Sequence, residues 1–223
     1  MPTVADVARF LQARARKRRR DFLARVTPVG VHSHDERQIT KLPSLLLMSD
    51  EARLPDPLAA LARLPRGSGL VFRHYRTRDR ATLASALIAK ARARGILVLV
   101  AGDWRLARRA RAAGLHLPEA LVGAPLAGYP RMLRKKAIVT VAAHSLRAVF
   151  RAAKYGADAA ILGPVFATAS HPGATPLGPL RFATICRQSP IPVYAVGGIG
   201  PTTARRLKGS GAIGFSGIGA LLP

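Results

Sequence analysis

Two segments of the chain combine a short apolar run with small or hydroxyl-bearing residues that could bind an anion. Residues 160–171 read Ala-Ile-Leu-Gly-Pro-Val-Phe-Ala-Thr-Ala-Ser-His, and residues 195–199 read Ala-Val-Gly-Gly-Ile. A buried strand that runs into such a loop just before a helix presents several backbone N–H groups together, and this geometry suits a phosphate. The two segments therefore predict an anion site at the carboxyl ends of the strands of a parallel barrel.

The elements that must position these loops form a repeated unit of a short apolar strand and a helical stretch. Leu45, Leu46 and Leu47, like residues 96–100, are apolar on both faces, as strands covered by helices must be. An open doubly wound sheet is the main alternative, but no Gly-x-Gly-x-x-Gly follows the first strand. The alternation favours a (β/α)8 TIM barrel. Strands are predicted at 44–48, 69–73, 96–100, 114–117, 137–142, 158–163, 191–196 and 212–216, and helical patterns at 55–64, 78–94, 104–113, 145–155, 178–187 and 201–208.

Length and composition suit one barrel with an N-terminal extension. The chain has 223 residues, of which 49% are hydrophobic, so it can bury a large core. Residues 1–43 predict a basic helix followed by an irregular connector, and residues 44–223 predict the barrel. No apolar run approaches the roughly 20 residues of a membrane span, and no signal peptide is expected. We therefore expect a cytoplasmic protein without a membrane partner, in which the single Cys186 is a buried structural thiol.

The formal net charge of +25 raises the question of a polyanionic partner. The densest basic cluster lies at residues 14–20, where no aromatic residues are interleaved and the pattern is helical. Most other arginines also fall on helical patterns, so the charge favours solvated helix surfaces and only non-specific binding to nucleic acid. His32 and His34, near Asp35, lie in a polar stretch whose spacing favours a solvated loop over a metal site.

Five motifs occur in order along the chain: Leu-Met-Ser-Asp-Glu (47–51), Gly-Leu-His-Leu (114–117), Ala-His-Ser (143–145), Gly-Ala-Asp-Ala-Ala-Ile-Leu-Gly-Pro-Val-Phe (156–166) and Ala-Val-Gly-Gly-Ile (195–199). Together they resemble one family, that of thiamine phosphate synthase and TenI, over residues 44–223. The resemblance implies an enzyme that joins a hydroxymethylpyrimidine pyrophosphate to a thiazole phosphate, small phosphorylated substrates, and a homodimer. Negative charge accumulates on the departing pyrophosphate in such a reaction and must be met by fixed donors and cations.

The resemblance assigns one half of the site to backbone donors. Gly197 and Gly198, together with Ile218 and Gly219 of the last strand, are expected to hold the thiazole phosphate through N–H groups. Backbone donors tolerate drift of the side chains around them. The alternative is that these glycines serve only the tight turns of a barrel.

Side chains of the other half depart in part from the family pattern. The family's second strand ends Gln-Leu-Arg-x-Lys, whereas residues 71–75 here keep only the arginine, Arg73. In the family's Thr-x-Thr-Lys loop, Thr168 and Ser170 keep the hydroxyls and His171 replaces the lysine. A histidine carries charge only fractionally at neutral pH.

The family's magnesium ligands are also altered. Ala101 and Gly102 fall where the family has Asn-Asp, although Asp103 follows directly. The second ligand position falls near Leu121, with Glu119 close by. Because magnesium depends on one or two carboxylates plus substrate phosphates, the resemblance makes it a candidate cofactor, with Asp103 and Glu119 as its candidate ligands.

His144 is the best candidate for side-chain proton transfer, because it follows an apolar strand at the end where a barrel faces its ligand. The resemblance links a histidine at this place, in TenI-type members, with tautomerising a thiazole carboxylate phosphate. Three functions therefore stay open: the coupling enzyme, a metal-free TenI-like tautomerase, and a non-catalytic phosphate-binding barrel. His116 ends another strand and is expected to be structural.

Overall fold

Eight parallel strands, each paired with its neighbours in chain order, close into a barrel. The computed structural model describes residues 41–122, 137–170 and 172–218. The predicted basic helix, His32, His34, His171 and Gly219 lie outside these residues. The predicted TIM barrel is confirmed. Its strands are β1 (Leu45–Met48), β2 (Gly69–Phe72), β3 (Leu97–Ala101), β4 (Gly114–Leu117), β5 (Ile138–Ala143), β6 (Ala159–Leu162), β7 (Val193–Val196) and β8 (Gly214–Gly217).

Helices alternate with the strands, and a 3-10 turn, Glu119–Leu121, follows β4. The third helix is shorter than the sequence pattern predicts, because Arg111 adopts a positive φ of 54° and ends the helical path. None of the helices within the described residues has the length and apolar character needed to cross a membrane. The described helices are α1 (Pro57–Arg63), α2 (Arg80–Ala93), α3 (Trp104–Arg109), α4 (Leu146–Lys154), α5 (Gly178–Gln188) and α6 (Pro201–Arg205).

Alternate residues of each strand pack on opposite sides of the barrel wall. In β1, Leu46 and Met48 belong to a buried cluster with Tyr194 inside the barrel. Leu45 and Leu47 belong to a second cluster, between the strands and the helices. This two-sided burial explains why the strands read as continuous apolar runs, and it leaves only the strand ends for polar chemistry.

Closure of the barrel depends on contacts between its first and last strands. Leu46 pairs with Ser216 in the parallel ladder between β1 and β8. The Ser216 hydroxyl donates to the backbone oxygen of Leu46 at 3.1 Å, and the buried Tyr194 hydroxyl donates to the backbone oxygen of Pro43 at 2.5 Å. These bonds satisfy buried polar groups and tie the two ends of the sheet together.

Gly114, at the start of β4, packs directly against β5. A Cβ at this position would overlap the backbone carbonyl of Ile138. We expect Gly114→Ala to lower the free energy of unfolding by about 1–3 kcal/mol, since a backbone atom of the neighbouring strand must move. Thermal unfolding followed by circular dichroism measures the shift. Gly200→Ala is the control, because nothing lies within 4 Å of its added Cβ. Equal melting temperatures for the two variants would contradict this account of the β4–β5 contact.

Candidate active site

A cavity of about 520 Å³ opens at the carboxyl ends of the strands. This volume falls in the range of small-molecule sites. Most of the residues singled out in the sequence meet here although they come from six different strand ends. The predicted site residues that line the cavity are Arg73, Glu119, His144, Thr168, Ser170, Gly197, Gly198 and Ile218.

The glycine pair after β7 packs tightly against the loop after β6. Gly197 and Gly198 adopt positive φ values of 91° and 62°. A Cβ on Gly197 would lie 2.7 Å from Cα of Pro164, and one on Gly198 would lie 2.5 Å from the backbone oxygen of Ala167. Phe166 N–H also donates to the Gly197 oxygen at 3.1 Å. Both conformation and space therefore require glycine, and the two loops form one wall of the cavity.

The hydroxyl-bearing loop after β6 contacts an arginine that sequence reasoning missed. Ser170 N–H donates to Thr168 Oγ1 at 3.3 Å, so the two hydroxyl residues share one turn. Nη1 of Arg53, in the loop after β1, donates to Ser170 Oγ at 2.5 Å. Arg53 lies far from Ser170 in sequence, and its only visible signal was its position just after a strand.

Arg73 is held at the cavity by groups from the end of β1. Its backbone N–H donates to Ser49 Oγ at 2.8 Å, and its Nε donates to the Ser49 backbone oxygen at 3.0 Å. Its Nη2 donates to Asp50 Oδ2 at 2.9 Å. Asp50 lies in the 47–51 motif, but the sequence analysis gave it no role; it thus fixes the guanidinium plane.

The Asp50 carboxylate serves both arginines, because Nη2 of Arg53 donates to the same Oδ2 atom at 3.1 Å. Burial raises the pKa of Asp50, but hydrogen bonds from Arg53 and the charges of Arg53 and Arg73 outweigh it and lower the pKa to about 2. Asp50 is therefore ionised throughout the physiological pH range and neutralises part of the local positive charge.

Glu119 and His144 form a hydrogen-bonded pair at the opposite side of the cavity. His144 Nδ1 lies 2.7 Å from Glu119 Oε2, and the His144 backbone N–H donates to the same oxygen at 3.0 Å. Glu119 Oε1 accepts from Arg151 in α4 at 2.9 Å. A carboxylate that accepts from Nδ1 orients the imidazole and selects its tautomer, which suits a proton-transfer residue.

The two candidate magnesium ligands have different surroundings. Asp103 does not line the cavity; its carboxylate accepts from Leu106 N–H at 2.9 Å at the start of α3 and lies 3.5 Å from Arg80. Glu119 is the single carboxylate residue among the described residues that line the cavity. Within the described ranges, no three His, Cys, Asp or Glu residues cluster as metal ligands would. The ligand role of Asp103 and Glu119 stays a prediction.

His116, expected to be structural, lines the cavity and is only 4% exposed. Its Nδ1 lies 3.0 Å from Thr140 Oγ1. Burial, and secondarily the charge of Arg73, lower the pKa of His116 to about 3. His116 is therefore a neutral imidazole near neutral pH, able to hydrogen-bond a ligand but not to supply charge.

Tight glycine turns, hydroxyls and arginines at the strand ends of a parallel barrel are the arrangement that (β/α)8 proteins commonly use to bind phosphate. Residues 58–221 match the family model described as thiamine monophosphate synthase. The chain belongs to this family, which confirms the resemblance seen in the sequence.

Similar proteins carry related names. The putative thiamine-phosphate synthase 2 of Aquifex aeolicus is 35% identical over 130 residues, covering 56% of this chain and 66% of that protein. The thiamine-phosphate synthase of Chlorobium luteolum is 30% identical over 184 residues, covering 80% of this chain and 85% of that protein. The chain spans 37% of the bifunctional ThiM/ThiE protein of Symbiobacterium thermophilum. The solved thiamine phosphate pyrophosphorylase of Pyrococcus furiosus has a TM-score of 0.63 and 24% identity, covering 80% of this chain and 86% of that one, which supports the fold.

The low pKa of His116 gives a pH prediction. The unfolded chain takes up a proton on this residue as the pH falls through its ordinary value of 6.5, whereas the folded chain does not until about 3. His116 therefore costs stability as the pH falls through that window. We expect its ring resonances, followed by NMR, to stay constant between about pH 8 and pH 5. A titration step inside this window would contradict the buried, neutral assignment.

Proposed function

We propose that this protein is a thiamine-phosphate synthase that couples a hydroxymethylpyrimidine diphosphate to a thiazole phosphate. The observation that carries the proposal is the two-sided cavity. Arg73 lines it at the end of β2, and the wall formed by Gly197 and Gly198 lines it at the end of β7. Two small substrates, each with its own phosphate group, need two such anion-binding sides facing one space.

The reaction breaks the bond between the pyrimidine methylene carbon and the diphosphate oxygen, and the electron pair leaves with the diphosphate. The thiazole nitrogen then forms a bond to that carbon, which yields a thiazolium cation and free diphosphate. Arg73 meets the charge that develops on the leaving group, because its guanidinium is already oriented by Ser49 and Asp50. Such preorganised donors need no rearrangement as charge develops.

The glycine wall performs the second task, which is to hold the thiazole phosphate. Because Gly197 and Gly198 pack directly on the loop after β6, their backbone geometry is set before a ligand arrives. A prearranged wall positions the thiazole nitrogen against the pyrimidine carbon and reduces the entropic cost of the bimolecular step.

A second candidate function, metal-free TenI-like proton transfer, is favoured by the pairing of His144 with Glu119 at 2.7 Å. In this function, the imidazole moves a proton on a thiazole carboxylate phosphate held by the same glycine wall. The Glu119 carboxylate stabilises the imidazolium that forms when His144 accepts the proton. The two candidates share the phosphate side and differ in whether Arg73 contacts substrate.

We also propose that the protein is a homodimer that acts in the cytoplasm. The family resemblance supports a homodimer, and the membership in a family of small-molecule enzymes supports action in the cytoplasm. Cross-linking with mass analysis and cell fractionation test these two points independently of activity.

Arg73→Ala separates the two sides of the cavity. We expect it to raise the dissociation constant for a pyrimidine diphosphate analogue by about 10- to 100-fold, because charge-assisted hydrogen bonds are lost, while thiazole phosphate binding stays unchanged. Isothermal titration calorimetry measures both ligands. Arg63→Ala, which removes the same charge from the exposed end of α1, is the control. Equal loss of both ligands would contradict the assignment of the two sides.

Product analysis decides between the two candidate functions. We expect the wild-type protein to form thiamine phosphate from the two substrates, with diphosphate released in equal amount. If it instead only isomerises a thiazole carboxylate phosphate, His144→Ala should slow that isomerisation by about 100-fold or more, the usual contribution of a general base. A His144→Ala variant with full isomerase activity would refute the second candidate.

A further inference from the structure

Two guanidinium groups, one assigned by the sequence and one not, lie side by side at the cavity. Among the described residues that line it, Arg53 and Arg73 are the two that carry a Lys or Arg side chain. Both donate to one oxygen, Asp50 Oδ2, at 3.1 and 2.9 Å. A shared acceptor atom requires the two guanidinium groups to be neighbours.

Asp50 fixes the backbone that carries Arg53 as well as its side chain. Oδ1 of Asp50 accepts from the N–H groups of Ala52 and Arg53 at 3.2 and 3.0 Å, and Leu54 N–H donates to the Asp50 backbone oxygen at 2.8 Å. These bonds form a tight turn after β1, typical of an Asp side chain. The turn directs Arg53 back toward the cavity, where it reaches Ser170.

The charge balance of this group favours an anionic ligand. Two permanently positive guanidinium groups share one ionised carboxylate, so a net positive charge remains. Side-chain exposures of 40% for Arg53 and 27% for Arg73 leave both groups accessible. A diphosphate carries oxygen acceptors on two linked phosphate groups. Two neighbouring guanidinium groups can donate hydrogen bonds to both of them, so the arginine pair suits a diphosphate.

We infer that Arg53 is a second diphosphate-binding residue, which acts beside Arg73 in place of the family's carboxylate-held magnesium. This inference rests on the proposed function for the identity of the ligand. Arg53 follows β1 and Arg73 follows β2, so the two guanidinium groups reach the cavity from neighbouring strand ends.

The donors around the site agree with this replacement. The Glu119 carboxylate already accepts from His144 and Arg151, and Asp103 lies outside the cavity. A diphosphate leaving group must be stabilised by fixed cations when carboxylate-held metal is not supplied. The arginine pair braced by Asp50 provides two such cations in a preset arrangement.

The test uses inorganic diphosphate as the probe and the full chain in buffer containing a chelator. Calorimetric titration compares the wild-type protein with Arg53→Ala, Arg53→Lys and the charge-matched surface control Arg63→Ala. We expect Arg53→Ala to raise the dissociation constant for diphosphate by about 10- to 100-fold. Arg53→Lys should raise it less, because lysine keeps the positive charge but lacks the paired N–H donors of a guanidinium group. Arg63→Ala should bind as the wild type does.

A second titration, with thiazole phosphate, separates ligand binding from a purely structural link between Arg53 and Ser170. We expect Arg53→Ala to weaken thiazole phosphate binding much less than diphosphate binding, because the backbone contacts that hold the glycine wall do not involve Arg53. Equal weakening of both ligands would show that Arg53 only supports the loop after β6. Unchanged diphosphate affinity in Arg53→Ala, or diphosphate binding by the wild type only when magnesium is added, would also overturn the inference.

Turnover assays keep this inference distinct from the proposed function. If the wild type makes thiamine phosphate while Arg53→Ala binds diphosphate normally, the inference fails and the function stands. If the wild type makes no thiamine phosphate but binds diphosphate through Arg53, the function fails and the diphosphate site stands.

Discussion

Closure of the sheet between β1 and β8 is the constraint on which the rest of the structure depends. The ladder that pairs Leu46 with Ser216 joins β1 to β8. A buried hydrogen bond from Tyr194 in β7 to the backbone oxygen of Pro43, just before β1, supports the same junction. Because all eight strands run in one direction, closure gathers their carboxyl ends around one space. Residues as distant in sequence as Arg53 and Ser170 meet only for this reason.

Around that space, the protein divides its polar chemistry between backbone and side chains. The glycine wall after β6 and β7 depends on close packing of backbone and Cβ atoms, and it lies within the residues that match the family model. The arginine side depends on ion pairs around Asp50, whose low pKa reflects the guanidinium groups beside it. Side-chain arrangements of this kind can change from one family member to another while the barrel stays the same.

The sequence was sufficient to predict the barrel, all eight strands and the family, because strand and helix periodicities and the glycine motifs are local signals. Helix ends were less predictable, as Arg111 shows by ending α3 early. The partners of individual side chains could not be predicted. Nothing local indicates that Glu119 bonds to His144 or that Asp50 joins two arginines, since these contacts exist only after the strands have been arranged in space.

The tight contact between Gly197, Gly198 and the loop after β6 has a consequence for how this chain can diverge. The glycines pack against backbone atoms of that loop and against the Cβ atoms of Pro164 and Phe166, so the contact excludes nearly every side chain at the two glycines and involves no side-chain atom beyond Cβ. The exposed residues can therefore change in charge without altering the shape of the wall. This chain, with 36 Lys and Arg residues against 11 Asp and Glu residues, has a strongly basic composition. The two glycines are therefore fixed by the shape of the backbone, whereas most exposed positions accept substitutions without affecting the wall.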